Sequence, residues 1–451
     1  MANSLLRFVK FKEVANWSPH YLINVDIEFL KRFPLVKISM FLKKNKTQTE
    51  IKDNESYRRV TIRMNNNGVL LRDTVDGKQI GTKRQFVIKG GQFLVSKIDA
   101  RNGAFGIAPD SLDGAIVTAD FLSFNIDKSL INPLFLELLT STKQFVDYCQ
   151  GESSGTTGRQ RINESTFLNI SVPLPPLNEQ SRIVEMFYSK YNKAQKLEEE
   201  ANRLENSIET YLQKELGIEI VDSYKKNEKM VIIKFMDLDR WGGDSLKNKE
   251  KLSFLKNGKY KVTELKNIIK FIQYGLSEKA NSSNIGIPML RMNNINNAEL
   301  SIDNLKYINL SNQIIEKTKL NKNDLLFNRT NSKELVGKTA VFDKDGVYTF
   351  ASYLIRIKLD ESKCDVHYLN YFLNSRIGRI QIDLTSRQIT GQANINSKEL
   401  QGFIVPLPSL SIQKQIASNV ESIRKQVKSL RSEAEKLRVG AKEAFTRELF
   451  S

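Results

Sequence analysis

One stretch occurs twice in this chain, and that repetition constrains its fold more than any other feature. Val172-Pro173-Leu174-Pro175-Pro176-Leu177-Asn178-Glu179-Gln180 returns as Val405-Pro406-Leu407-Pro408-Ser409-Leu410-Ser411-Ile412-Gln413. The offset of 233 positions then holds without a gap to Glu215-Leu216 against Glu448-Leu449. Each proline run leads into a long helical pattern with a heptad seam. In the first copy the seam carries Gln180, Ile183, Phe187, Lys190, Ala194, Leu197, Ala201, Leu204, Ile208 and Tyr211. In the second it carries Gln413, Ile416, Val420, Ile423, Val427, Leu430, Ala434, Leu437, Ala441 and Ala444. Apolar residues alternating three and four apart form one helical stripe, and two such helices pack along their length. Each is the obvious partner of the other. Proline is tolerated in a helix's first turn but not in its interior, so Pro175-Pro176 and Pro408 mark the starts.

The repetition extends outward. Lys10-Phe11 and Trp17 match Lys234-Phe235 and Trp241, while Ile62-Arg63-Met64-Asn65-Asn66 matches Leu290-Arg291-Met292-Asn293-Asn294. Gly91 to Ser96 matches Asn323 to Asn328, and Thr157-Gly158 with Ile162-Asn163 matches Thr390-Gly391 with Ile395-Asn396. The order is kept and the offset only rises, as in a tandem duplication. Each half therefore holds one domain and one helix. The domains read as mixed α and β. Segments 84–88, 93–98 and 115–126, with 325–327, 339–342 and 353–357, have strand composition, whereas 132–149 and 366–380 have helical spacing. Gly217 stands where a helix C-terminal glycine belongs. The boundaries are 1–175 for the N-terminal segment and first domain, 176–217 for the central helix and 218–257 for a connector repeating the N-terminal segment. The second domain follows at 258–407, and the last helix at 408–451.

With 451 residues the chain is long enough for several cores. It has no run of about eighteen apolar residues, and 1–26 lacks the core of a signal peptide, so a soluble cytoplasmic protein is expected. Cys149 and Cys364 are the only cysteines, which argues against a disulfide framework; Cys149 continues an apolar helical stripe and belongs in a core. The net charge of +18 points to a polyanionic partner, nucleic acid first.

No catalytic constellation is visible. Ser332 stands where a phosphate-binding loop leading to Gly337-Lys338-Thr339 needs glycine. The only Pro-Pro pair lies between leucines, unlike the motif of an amino methyltransferase, and two histidines with two cysteines cannot make a zinc site at these spacings. His367 opens a helix as a surface or capping residue. What both halves do offer is polar basic loops at matching places. One holds Arg159, Gln160 and Arg161, matched by Arg387, Gln388 and Gln392. Another holds Lys97 and Arg101, matched by Asn328 and Arg329; the third holds Arg58, Arg59 and Arg63, matched by Arg291 and Asn293. Arg and Gln or Asn present paired donors and acceptors that fit guanine and adenine edges. These residues are the candidate DNA contacts.

Two variable domains, each closed by a V-P-L-P-x-L-x-x-Q segment running into a coiled-coil helix, resemble the specificity subunit of a type I restriction-modification system. Leu326-Phe327-Asn328-Arg329-Thr330 and Thr390-Gly391-Gln392-Ala393-Asn394-Ile395 are also similar to that family. The resemblance implies an α+β fold of two tandem-duplicated DNA-recognition domains separated by a pair of long antiparallel coiled-coil helices. It implies a non-catalytic subunit that recognises a bipartite DNA target and directs two methyltransferase subunits, with or without two motor-nuclease subunits. S-adenosylmethionine would then belong to the methyltransferase, ATP and magnesium to the motor-nuclease, and no cofactor to this chain. Phe187, Leu197, Leu204, Ile208, Tyr211, Val420, Ile423, Val427, Leu430 and Leu437 would form the helix pair and its partner-binding face. A helix of 39 residues spans about 58 Å, or at most about 17 base pairs between domain centres. The competing reading is a coiled-coil adaptor with only non-specific DNA binding, which would show no preferred sequence.

Overall fold

The computed structural model describes residues 33–151, 161–220, 252–389 and 391–450, which form two compact units. The first comprises 1–196 with 433–451, and the second 197–432. The expected match between the N-terminal segment and the connector, including Trp17 and Trp241, lies outside the described residues.

In the first unit Phe93–Ser96, three apolar residues followed by a serine, is buried along its whole length, with a neighbouring strand on each side. It lies in a four-stranded antiparallel sheet ordered Leu42–Lys44, Phe121–Ile126, Phe93–Ser96, Phe105–Ile107. A five-stranded mixed sheet is built from Gln48–Glu50, Arg84–Val87, Ile116–Val117, Ser56–Ile62 and Val69–Asp76. A short clip pairs Leu35–Lys37 with Ser171–Pro173. The main core is aromatic: Phe167 stacks between Phe93 and Phe124 at 6.4 and 5.7 Å. Cys149 is fully buried in the same cluster, which also takes in Ile183 and Phe187 of the first long helix and Phe445 and Leu449 of the second.

The second unit repeats the four-stranded sheet in the order Ile269–Tyr274, Leu354–Leu359, Leu325–Asn328, Thr339–Val341, and repeats the clip with Val262–Glu264 against Ile404–Pro406. Beside these it carries three small sheets rather than one of five strands. The duplicated parts thus include the sheet, the clip, the long helix and the domain helices Pro133–Thr140 and Lys143–Gly151 against Val366–Asn374 and Arg376–Thr385, while the remaining sheets differ.

Three sequence expectations need correction. Segment 115–126 is not one strand: a turn at Thr118, where Phe121 N donates to Thr118 O at 3.0 Å, sends Ile116–Val117 and Phe121–Ile126 into different sheets. Segment 132–149 is two helices, Pro133–Thr140 and Lys143–Gly151. The hydroxyls of Ser141 and Thr142 donate to the carbonyls of Leu138 and Leu139, each at 2.7 Å, and so compete with the helical pattern. Likewise 366–380 breaks at Ser375, which caps Arg376–Thr385 through Gly378 N. His367 is exposed in the first turn of Val366–Asn374, and the cap itself is Asp365, accepting from Tyr368 N at 2.9 Å.

The long helices are Leu177–Leu216 and Leu410–Phe450. The first ends at Gly217, whose φ of +62° lets Ile218 N return to Gln213 O and Gly217 N to Lys214 O. Within each unit the helix segments run antiparallel. In the first, Arg182 meets Glu448 at 3.0 Å and Lys193 meets Glu433 at 3.8 Å. In the second, Arg431 meets Glu198 and Glu205 at 3.2 and 2.7 Å, and Asn419 donates to the Tyr211 hydroxyl at 2.8 Å. One row of the seam is fully buried and mostly small, as at Ala194, Ala201, Val427, Ala434 and Ala441. The other row is buried where it starts, at Ile183 and Ile416, and only half-buried further on, at Leu197, Leu204, Tyr211, Ile423, Leu430 and Leu437. Ile208 is half-buried too, and Leu212 and Leu216 take over the contact, because a straight α-helix drifts about 20° per heptad from a strict seven-residue repeat.

The repeated glutamine is the joint between domain and helix. Gln180 is fully buried; its Oε1 accepts from Asn132 N at 2.7 Å, and its Nε2 donates to Leu130 O and Pro175 O at 3.0 and 2.8 Å. Gln413 does the same with Asp365 N, Lys363 O and Pro408 O at 2.8, 3.1 and 2.8 Å. Asn132 and Asp365 are the N-caps of Pro133–Thr140 and Val366–Asn374, so one buried amide ties two helix starts together in each unit.

Candidate nucleic-acid interface

In the first unit the turn after Arg63, the loop of Lys97 and Arg101, and Arg161 meet at one edge. Asn65 and Asn66, in the turn after Arg63, hold left-handed backbones with φ of +58° and +55°, and their amides donate to Asn102 O and Gly103 O at 2.7 and 2.9 Å. This brings the Arg63 turn onto the Arg101 loop. Lys97 N donates to Asp120 O at 2.8 Å and Lys97 O accepts from Ile162 N at 2.9 Å, which joins the same loop to the segment of Arg161. Arg161 pairs with Asp120 at 3.1 Å.

The candidate side chains of this unit differ in how far they are already engaged. Arg59 forms a two-pronged pair with Asp73, both contacts at 2.7 Å, and its guanidinium holds the Asp73 carboxyl below the usual carboxylate range. Arg58 donates to Ser111 O at 2.7 Å and to Asp113 O, fastening a turn. Arg63 is exposed, and Lys97 and Arg101 are half-buried. Arg159 and Gln160 lie outside the described residues.

The second unit gathers the matching segments. Thr330–Asn331 pairs with Gln392–Asn394, which pairs with Arg387–Ile389, the strand that carries Arg387 and Gln388. Arg329 N donates to Tyr353 O, and Ile395 N to Arg329 O, both at 2.9 Å. The Arg329 guanidinium donates to Asn394 Oδ1 at 3.1 Å and lies over the Tyr274 ring at 4.8 Å. Tyr274 and Tyr353 are 40% and 47% exposed, and the face of the first borders this cation. The sequence signal for both tyrosines is only that of an aromatic near a basic loop. Arg291 lines an adjoining cleft of about 410 Å³ with Lys306 and Tyr353, and donates to Asn304 O at 3.0 Å. Asn293 and Gln392 are exposed. Asn328 is fully buried, with its Nδ2 on Leu335 O at 3.3 Å, so its side chain supports the loop from beneath.

Basic, amide and aromatic groups on a rigid sheet edge suit a polyanion with readable edges. Guanidinium and amide forks supply directional hydrogen bonds, and tyrosine faces supply stacking. Among the described residues no group of three or more His, Cys, Asp or Glu could hold a metal ion, and no helix is long and apolar enough to cross a membrane.

Comparison with known proteins agrees with this picture. A sequence profile described as "Type I restriction modification DNA specificity domain" matches residues 34–206 and 257–438. A Methanocaldococcus jannaschii protein, provisionally named the MjaX specificity subunit of a type I restriction enzyme, is 31% identical over 160 residues, 35% of this chain and 38% of that protein. The EcoKI specificity subunit of Escherichia coli K12 is 24% identical over 265 residues, 58% of this chain and 52% of its own length. The chain thus spans about half or less of these two relatives. A solved structure described as "Structural basis underlying complex assembly and conformational transition of the type I R-M system" covers 93% of this chain and 98% of its own, with a TM-score of 0.56 and 17% identity. That likeness establishes the shared fold.

Proposed function

Because the chain belongs to the family of type I restriction modification DNA specificity domains, we propose that it is the non-catalytic subunit that selects a bipartite DNA sequence for a methyltransferase. What supports this reading is the gathering of matched polar groups in each unit, the Arg63 turn with the Lys97–Arg101 loop and Arg161 in one, and Arg329 with the strands of Gln392 and Arg387 beside the Arg291 cleft in the other. Each edge then reads one half-site, and the paired long helices set the spacing. The candidate contacts remain the exposed and half-buried members of the set, Arg63, Lys97, Arg101, Arg161, Arg291, Asn293, Arg329 and Gln392, together with the segment of Arg159 and Gln160 and the strand of Arg387 and Gln388. Arg59 serves chiefly to hold its hairpin, and Arg58 to fasten the turn of Ser111 and Asp113. The half-buried row of Leu197, Leu204, Tyr211, Ile423, Leu430 and Leu437 is where methyltransferase helices would pack. S-adenosylmethionine, and ATP with magnesium where a motor-nuclease joins, act on those partners. The protein works in the cytoplasm, where its DNA lies.

Co-expression with its methyltransferase and mapping of methylated adenines across a genome tests the reading. One split motif with a fixed spacer is expected. Scattered methylation from a stable complex would sink it. Removing one heptad from both long helices should shorten the spacer and leave both half-sites unchanged.

A further inference from the structure

Strand register makes the two units comparable residue by residue at the edge described above. Ser96 lies opposite Phe121, and Asn328 lies opposite Leu354, so Asp120 and Tyr353 occupy the same place, as do Lys97 and Arg329. The two main-chain bonds of Lys97, from its N to Asp120 O and into its O from Ile162 N, recur unchanged at Arg329 with Tyr353 O and Ile395 N. Arg161 precedes Ile162 as Asn394 precedes Ile395. One backbone junction is therefore built twice, and the residues it displays differ at all three positions: Lys97, Asp120 and Arg161 in one unit, Arg329, Tyr353 and Asn394 in the other.

We propose that these three positions set the bases that each unit reads, which rests on the DNA-specificity function above. A fixed backbone with exchanged side chains is what two related modules need to read two unlike half-sites. In the second unit Arg329 is held in place by Asn394 and the Tyr274 ring, and among the described residues none accepts from its Nη1. A pre-oriented guanidinium fork of this kind recognises guanine through O6 and N7. In the first unit the Asp120 carboxylate, 43% exposed and steadied by Arg161, is an acceptor suited to the amino group of cytosine.

The test is methylation mapping with the full chain and its methyltransferase, comparing wild type, Arg329→Ala, Tyr353→Asp and Asp120→Tyr, each checked for unchanged melting temperature. Arg329→Ala should relax preference at one guanine of one half-site by roughly 10- to 100-fold, leaving the other half-site and the spacer intact. Asp120→Tyr should change only the opposite half-site, and Tyr353→Asp the same one as Arg329→Ala. Both exposed positions tolerate substitution, so misfolding of the arginine variant would not rescue the idea. A uniform fall in methylation with the motif unchanged in all three variants would overturn it, since these groups would then only bind the DNA backbone. A wild type without a split motif would instead remove the DNA-specificity reading itself.

Discussion

The two units solve the same buried problem with different chemistry. Beneath each four-stranded sheet a turn needs a side-chain acceptor. In the first unit Gln92 Oε1 accepts from Lys89 N at 2.9 Å, and in the second Asp324 Oδ2 accepts from Asn321 N at 2.9 Å. Around Gln92 the partners are neutral: Asn45 Nδ2 reaches Gln92 Oε1 and Ser123 Oγ at 3.4 and 3.3 Å, and Gln92 Nε2 donates to Asn125 Oδ1 at 2.7 Å. At the corresponding places around Asp324 stand Gln273, Arg356 and Lys358. Arg356 is buried, 3.6 Å from Asp324; it donates to Lys319 O at 2.6 Å and to Gln273 Oε1, and lies over the rings of Phe271 and Phe350 at 5.2 and 5.6 Å. The lesson is that the fold specifies an acceptor at the turn, not its charge. Once the acceptor is ionised, however, its neighbours must change together.

Breaking the charged version should have the largest effect. Arg356→Ser, which installs the side chain found at Ser123, removes the buried cation beside Asp324 and the donor to Gln273 Oε1 and Lys319 O, and should cost about 3–5 kcal/mol. Denaturant unfolding followed by hydrogen exchange should localise the loss to the second unit. Adding Asp324→Gln should recover at least about 1 kcal/mol if the positions are coupled as described. In the neutral version Asn45→Ala removes donors to Val87 O, Gln92 and Ser123 and should cost about 1–3 kcal/mol in the first unit.

The smallest effect is in the pH dependence. Burial raises the Asp324 pKa above the ordinary carboxylate value, outweighing the lowering by its Asn321 hydrogen bond and by Lys358 and Arg356. A raised folded-state pKa contributes stability that is fully present below the unfolded pKa and is lost as pH rises through the folded one. The stability of wild type relative to Asp324→Asn should therefore rise as pH is lowered from 7 toward 4, measured by denaturant unfolding at each pH. A relative fall on acidification would mean that attraction to Arg356 outweighs burial.

These networks were not legible in the sequence, whereas the duplication that frames them was. The V-P-L-P repeat, the long helices and the strand Phe93–Ser96 are written in local patterns of proline, heptad and apolar run. The repeat aligns Gln92 with Asp324, but the two share no residue type that would reveal a common role, and Ser123 and Arg356 are shown to be equivalent only by strand register. The helix breaks at Ser141-Thr142 and Ser375 are hidden in the sequence because apolar spacing continues across them while the hydroxyls divert backbone bonds. Among the candidate contacts, Arg58 and Arg59 show why counting cations is insufficient. Asp73 is fourteen residues from Arg59, and the carbonyls that hold Arg58 are more than fifty residues away.

The buried glutamine joint has a mechanical consequence. Gln180 and Gln413 bind the first turn of a long helix to the cap of a domain helix and to the proline segment between them, through three hydrogen bonds each. Such a joint has little freedom to swivel. Torque on a recognition domain, as when its edge settles against a ligand, passes into the helix at its first turn instead of being dissipated in a loose hinge. Each domain and its helix root therefore behave as a lever with a welded fulcrum.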